Sequence, residues 1–136
     1  MPGFEQFMSE YYFKMVDLAH VLLKGFALAA NKPENFFEKL LDKETTMSTL
    51  RLNYYPFAES FQPVQIAEDG TRLGCETHTD GSLITILYQP VVGGLQVESE
   101  NGWIEMEPSK ENFVVNTGKC MSYLSNSNFK VGLCFI

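Results

Sequence analysis

Over the first thirty residues, apolar side chains return every three to four positions. In FEQFMSEYYFKMVDLAHVLLKGFALAANKP, the residues Tyr11, Met15, Leu18, Leu22, Phe26 and Ala29 draw one stripe at helical period. The pattern predicts a helix over residues 4–30, ended by Asn31 and Pro33, with Pro33 suited to the first turn of another. That second, shorter amphipathic helix is expected over residues 33–42, carried by Phe36, Phe37, Leu40 and Leu41. From Met47 the helical period gives way to short apolar runs broken by turn residues. STLRLNYYP reads as a strand stopped by Pro56, Asp69-Gly70 as a hairpin signal, and SLITILYQP as a strand covered on both faces. GGLQVESENGWIEMEP reads as strand, Asn101-Gly102 turn, strand; NFVVNTGKCMSYLSN as a strand, a Gly118 turn and a further short segment. Short strands at this spacing suggest a sandwich or barrel behind two helices. No internal repeat or low-complexity tract interrupts it.

Composition narrows the partners more than the fold. With 136 residues, 45% hydrophobic and 20% charged, the chain has the make-up of one soluble globular domain. Its net charge of -7 argues against nucleic acid and acidic membranes, which are bound through Lys and Arg. Glu98, Glu100, Glu105 and Glu107 read as a solvated surface. No leader and no membrane-spanning run is expected. Cys75, Cys120 and Cys134 are odd in number and lack CxxC spacing, so free thiols and a cytoplasmic setting are expected.

The candidate chemistry sits in HTDGSLITILYQ, residues 78–89. On a strand, residues i and i+2 share a face, so His78 and Asp80 converge while Thr79 points away. The tripeptide by itself admits two readings, a pair of metal ligands or the polar entrance to a buried strand. His20, alone within the first helix, reads as an ordinary helix residue.

Six stretches, LNYYP, HTDGSLITILYQ, GGLQV, GWIEMEP, FVVNTG and YLSN, occur in the order found in the isopenicillin N synthase-like family. These are non-haem Fe(II) oxygenases and oxidases, most of them 2-oxoglutarate-dependent. The resemblance runs from the helices to about Lys130. It implies a mainly β chain with N-terminal helices, folded as a partial double-stranded β-helix, or jelly roll. Residues 1–46 would be a helical support segment, 47–130 the jelly-roll core and 131–136 a divergent tail.

The resemblance also implies Fe(II), dioxygen and a small-molecule substrate, with 2-oxoglutarate as the oxoacid or an oxidative ring closure without one. His78 and Asp80 match the first histidine and the carboxylate of a facial triad, which leaves metal positions open for oxoacid and dioxygen. Tyr55 and Asn53 match residues at the oxoacid carboxylate. Thr49, Leu87, Gln89 and Leu95 fall where relatives line the substrate cavity. Asn116, Thr117 and Gly118 would shape a turn near the iron, and Gly93, Gly94 and Trp103 would serve hairpin geometry and packing. One departure stands out: no histidine follows His78, and VGLCFI replaces the strand expected to carry His-Arg and then Arg-x-Ser. The expectation is the central piece of such an enzyme, truncated at both ends. The alternative is a catalytically inactive remnant acting as a binding or regulatory protein. A metal-dependent hydrolase is disfavoured, because the sequence has neither a general-base pair nor a second metal cluster.

Overall fold

The computed structural model describes residues 2–40, 48–55, 63, 65–66 and 70–136. The chain divides into two compact units, Met1–Asn53 and Tyr54–Ile136.

In the first unit, α1 (Phe4–Ala29) is the predicted helix. Its buried line is Leu23 and Ala27, 2% and 0% exposed, one position round from the predicted stripe. Tyr11, Met15, Leu18, Leu22 and Phe26 are half-buried and Ala29 is exposed. The rotation follows from what the helix packs on. His20 Nδ1 and Lys24 Nζ both reach Glu38 Oε1, at 3.7 and 3.4 Å. Leu23 and Ala27 lie on that same face, three or four residues from His20 and Lys24. His20 is therefore a packing residue, as its sequence context suggests.

The helix stops where Asn31 takes a left-handed conformation, φ 55°. Lys32 N–H donates to Ala27 O and Asn31 N–H to Leu28 O, both at 2.9 Å, the paired bonds of a Schellman ending. Alanine tolerates that backbone less well than asparagine. Asn31→Ala should therefore lower the unfolding free energy of the helical signal by about 1 kcal/mol, read as a fall in the midpoint of the circular-dichroism melt.

The second predicted helix is not formed. Residues 34–37 are turns and Glu38–Leu40 is a single 3-10 turn; residues 41–42 lie outside the described residues. Two anchors explain the tighter winding. Phe37 is fully buried, while its neighbour Glu38 is held by His20 and Lys24. Phe36 N–H bonds back three residues to Pro33 O at 2.9 Å, the 3-10 spacing. The strand expected in STLRLNYYP is likewise absent from its described part, since residues 48–55 carry no ladder. A strand is defined by its partner, and no described segment pairs with this one.

The second unit is antiparallel throughout its described pairings. β1 (Gln65–Ile66) and β2 (Arg72–Leu73) form the hairpin expected around Gly70, whose φ of +87° suits the turn; Asp69 lies outside the described residues. β4 (Ile84–Leu87) pairs with β7 (Val114–Thr117). β3 (His78–Thr79), β8 (Leu133–Phe135), β5 (Gln96–Ser99) and β6 (Gly102–Glu105) form a sheet in that spatial order. The β5–β6 turn is one residue earlier than predicted. Ser99 faces Gly102 in the register, so the tip is Glu100–Asn101. Ser99 Oγ fixes it, accepting from Asn101 N–H at 3.2 Å and donating to Gly102 O at 2.7 Å.

The segment after the Gly118 turn is a helix, α2 (Lys119–Leu124), which buries Met121. The core of this unit is Leu73, Leu95 and Met121. The last residues, read as a divergent tail, supply β8 between β3 and β5, with Phe135 against Trp103 at 4.6 Å between ring centroids. The chain is thus mainly β with one long N-terminal helix.

Candidate metal centre

His78 lies in β3, and Asp80 follows in the connection between β3 and β4. His78 Nδ1 is 2.8 Å from the Glu76 carbonyl oxygen. A carbonyl only accepts, so Nδ1 carries a proton and Nε2 is the nitrogen left to meet a metal. That Nε2 lies 3.7 Å from Asp80 Oδ1, with the two side chains 41% and 23% exposed. The other carboxylate oxygen, Oδ2, accepts from Thr85 Oγ1 at 2.6 Å and from Asn116 Nδ2 at 2.8 Å. Thr85 and Asn116 are direct cross-strand partners in β4–β7, so their side chains share one face of that ladder. Ser82 Oγ sits 3.3 Å from Thr85 Oγ1 and extends the chain of hydroxyls.

The backbone around Asp80 is fixed as well. Lys119 N–H donates to Asp80 O at 2.8 Å and Gly118 N–H to Leu83 O at 3.0 Å. Gly118 lies so close that a Cβ there would meet Ser82 O at 2.2 Å and Asp80 O at 2.9 Å. Glycine is needed here for close approach; its φ of -99° is open to any residue.

A neutral imidazole nitrogen and a carboxylate oxygen facing each other across 3.7 Å fit a divalent first-row ion. Bonds of about 2.0–2.2 Å, on the scale of zinc sites, let one ion touch both. Among the described residues no group of three His, Cys, Asp or Glu side chains is gathered to hold an ion. Cys134 faces His78 in the β3–β8 register, but its thiol donates to the His78 carbonyl at 3.8 Å. Burial first, then the Asp80 carboxylate and Cys75, push that thiol upward and keep it protonated at neutral pH.

The remaining predicted site residues fall in different surroundings. The Tyr55 ring lies over Gly74, where an added Cβ would come 2.8 Å from Cδ1. Thr49 and Asn53 are exposed coil residues of the first unit. Leu87 faces Val114 in β4–β7. Gln89 Nε2 donates to Met106 O at 2.7 Å and its backbone carbonyl accepts from Ser109 N–H at 3.0 Å, so it ties down the segment after β6. Leu95 is core, 5% exposed. The structure thus brings together His78, Asp80 and two residues that sequence reasoning did not place at the carboxylate, Thr85 and Asn116. Their signal was faint: a hydroxyl inside the apolar strand ITIL, and an amide after two valines in VVNT.

Comparison with known proteins gives a consistent result. The family model described as the 2OG-Fe(II) oxygenase superfamily matches residues 46–132. Isopenicillin N synthase of Streptomyces griseus is 45% identical over 126 residues, covering 93% of this chain and 38% of that protein. The Penicillium chrysogenum isopenicillin N synthase is 41% identical over 130 residues, covering 94% and 39%. The chain therefore spans about two-fifths of the length of the curated relatives it matches. Among solved structures, JOX2 in complex with 2OG, Fe and JA superposes with a TM-score of 0.75 at 24% identity, covering 99% of this chain and 38% of that one. A full-length Neurospora crassa protein in complex with alpha-KG gives 0.73 at 20% identity, covering 99% and 40%. At those identities the structural likeness concerns the fold.

Proposed function

Because the chain belongs to the 2OG-Fe(II) oxygenase superfamily, we propose that it supplies His78 and Asp80 to the iron centre of a non-haem oxidoreductase. One observation carries the reading: the Nε2 lone pair of His78 and Asp80 Oδ1 face each other, while Nδ1 and Oδ2 are both occupied by protein partners. Bound Fe(II) would supply the redox chemistry that lets dioxygen oxidise a small organic substrate, with 2-oxoglutarate as co-substrate. The protein's part is to present these ligands. Glu76 O fixes the imidazole tautomer, and Asp80 contributes the charge that favours a cation. The same family membership supports a role for Tyr55 at the oxoacid carboxylate, and for Leu87, Gln89 and Leu95 around the substrate. The double-stranded β-helix is part of this proposal, supported by the likeness to solved structures.

A cytoplasmic setting belongs to the same proposal, supported by three free cysteines. Among the described residues no helix is long and apolar enough to cross a membrane. The net charge of -7 disfavours a nucleic-acid partner. A second reading is a catalytically inactive binding or regulatory remnant.

The test is a Mn(II) titration of the 136-residue chain, followed by the loss of the free-ion paramagnetic resonance signal. Weak binding that tightens when 2-oxoglutarate is added is the expected result, since an oxoacid that chelates the ion adds ligand atoms to the site and the coupling is reciprocal. His20→Ala should leave the curve unchanged. Binding indifferent to 2-oxoglutarate points to an oxidase that uses no oxoacid, and no binding at all points to the remnant.

A further inference from the structure

We infer that Thr85 and Asn116 are positioning residues that hold Asp80 as a one-oxygen metal ligand, an inference that rests on the iron-centre reading above. A carboxylate meets a cation either through one oxygen or by chelation through both. Here Oδ2 accepts two hydrogen bonds, at 2.6 and 2.8 Å, which engage both of its lone pairs. An ion then meets the carboxylate through Oδ1, the oxygen turned to His78 Nε2.

The two donors are independent in sequence and locked together in space. Thr85 and Asn116 face each other across β4–β7, so the ladder's register sets both donors on one face, toward the same carboxylate oxygen. The arrangement has a direction. Thr85 uses its only proton toward Asp80, so Ser82, at 3.3 Å, is the donor to Thr85. The result is a relay from Ser82 through Thr85 to Oδ2 that makes the second oxygen a poorer ligand. Its consequence is an open coordination position. A chelating Asp80 would occupy one more site on the ion, the site that a two-point oxoacid or dioxygen needs.

The experiment uses the 136-residue chain with Mn(II). Thr85→Val keeps the shape and strand preference of threonine and removes the donor; Thr85→Ser keeps the donor and removes the methyl. Asn116→Ala removes the second donor. Two quantities are read: Mn(II) affinity, and the gap between the asymmetric and symmetric carboxylate stretches in the metal-minus-apo infrared difference spectrum, with Asp80→Asn as the blank. The gap is wide for one-oxygen ligation and narrow for chelation. The parent and Thr85→Ser should show the wide gap. Thr85→Val combined with Asn116→Ala should show the narrow one, with Mn(II) affinity changed by about 10–100-fold.

A wide gap and unchanged affinity in the double variant overturn the inference while leaving the ligand assignment standing. Undiminished Mn(II) binding by both His78→Ala and Asp80→Ala overturns the two together. Should the double variant unfold, Thr85→Val alone decides, because a merely structural threonine would give the same spectrum as Thr85→Ser.

Discussion

Replacing His78 or Asp80 by alanine is expected to remove measurable Mn(II) binding from the chain. Zinc-finger sites of four ligands bind with about 10–16 kcal/mol, or roughly 3 kcal/mol per ligand, which corresponds to about a hundredfold in affinity. A site with two protein ligands starts weak, so that loss takes it below detection. The two substitutions differ in what they leave behind. His78→Ala removes a ring whose Nδ1 is held by the Glu76 carbonyl and lies 3.7 Å from Cys75 Sγ. Asp80→Ala strips the acceptor from Thr85 and Asn116 together. Each donor left partly buried without its partner costs about 1–3 kcal/mol, reduced here by access to water. Asp80→Ala should therefore lower the melting temperature as well as the affinity, whereas His78→Ala should mainly lower affinity. Isothermal titration beside a thermal melt separates the two effects, and persistence of binding in both variants would place the ion elsewhere.

The second large effect is expected from a residue that touches no metal. Gly118→Ala would put a Cβ 2.2 Å from Ser82 O and 2.9 Å from Asp80 O. Neither neighbour is the flexible end of a side chain, so the backbone itself must move. Forced overpacking of this kind costs about 1–3 kcal/mol. The displaced atoms include the Asp80 carbonyl, which Lys119 N–H holds at 2.8 Å, so the carboxylate should move with them and Mn(II) affinity should fall. Gly81 is the matching control. It lies next to Asp80, yet an added Cβ there meets nothing within 4 Å and its φ is not positive. Gly81→Ala should leave both stability and affinity near the parent values. Equal behaviour of the two variants in melts and titrations would mean that the close approach at Gly118 does not control the Asp80 loop.

That contrast between two glycines shows where sequence reading stops. Gly118 was legible as a turn, because turns have local signals; its closeness to residue 82 is a fact about two distant segments. The convergence of His78 and Asp80 followed from strand period, and it survives although β3 ends at Thr79 and Asp80 lies just beyond it. The long helix and its stop at Asn31 were also legible, since periodicity and a left-handed asparagine are local. The rotation of its buried face onto Leu23 and Ala27 was not, because it depends on where Glu38 lies. For the same reason 48–55 looked like a strand: composition permits a ladder, but only a neighbour makes one. Thr85 and Asn116 belong to this class, since their meeting at Asp80 is set by the β4–β7 register.

The placement of β8 between β3 and β5 has a consequence in time. The ribosome releases residues 78–79 and 96–99 well before 133–135, and β3 and β5 meet only through β8. Until residues 133–135 emerge, the edges of β3 and β5 that β8 will cover are unpaired, and open edges recruit other chains. Closing the gap from His78 to Cys134 is a long-range step, whose entropy must be met before any contact rewards it. The strand that bears His78 is thus completed only once residues 133–135 have emerged, and a nascent chain halted before residue 133 carries both edges open to aggregation.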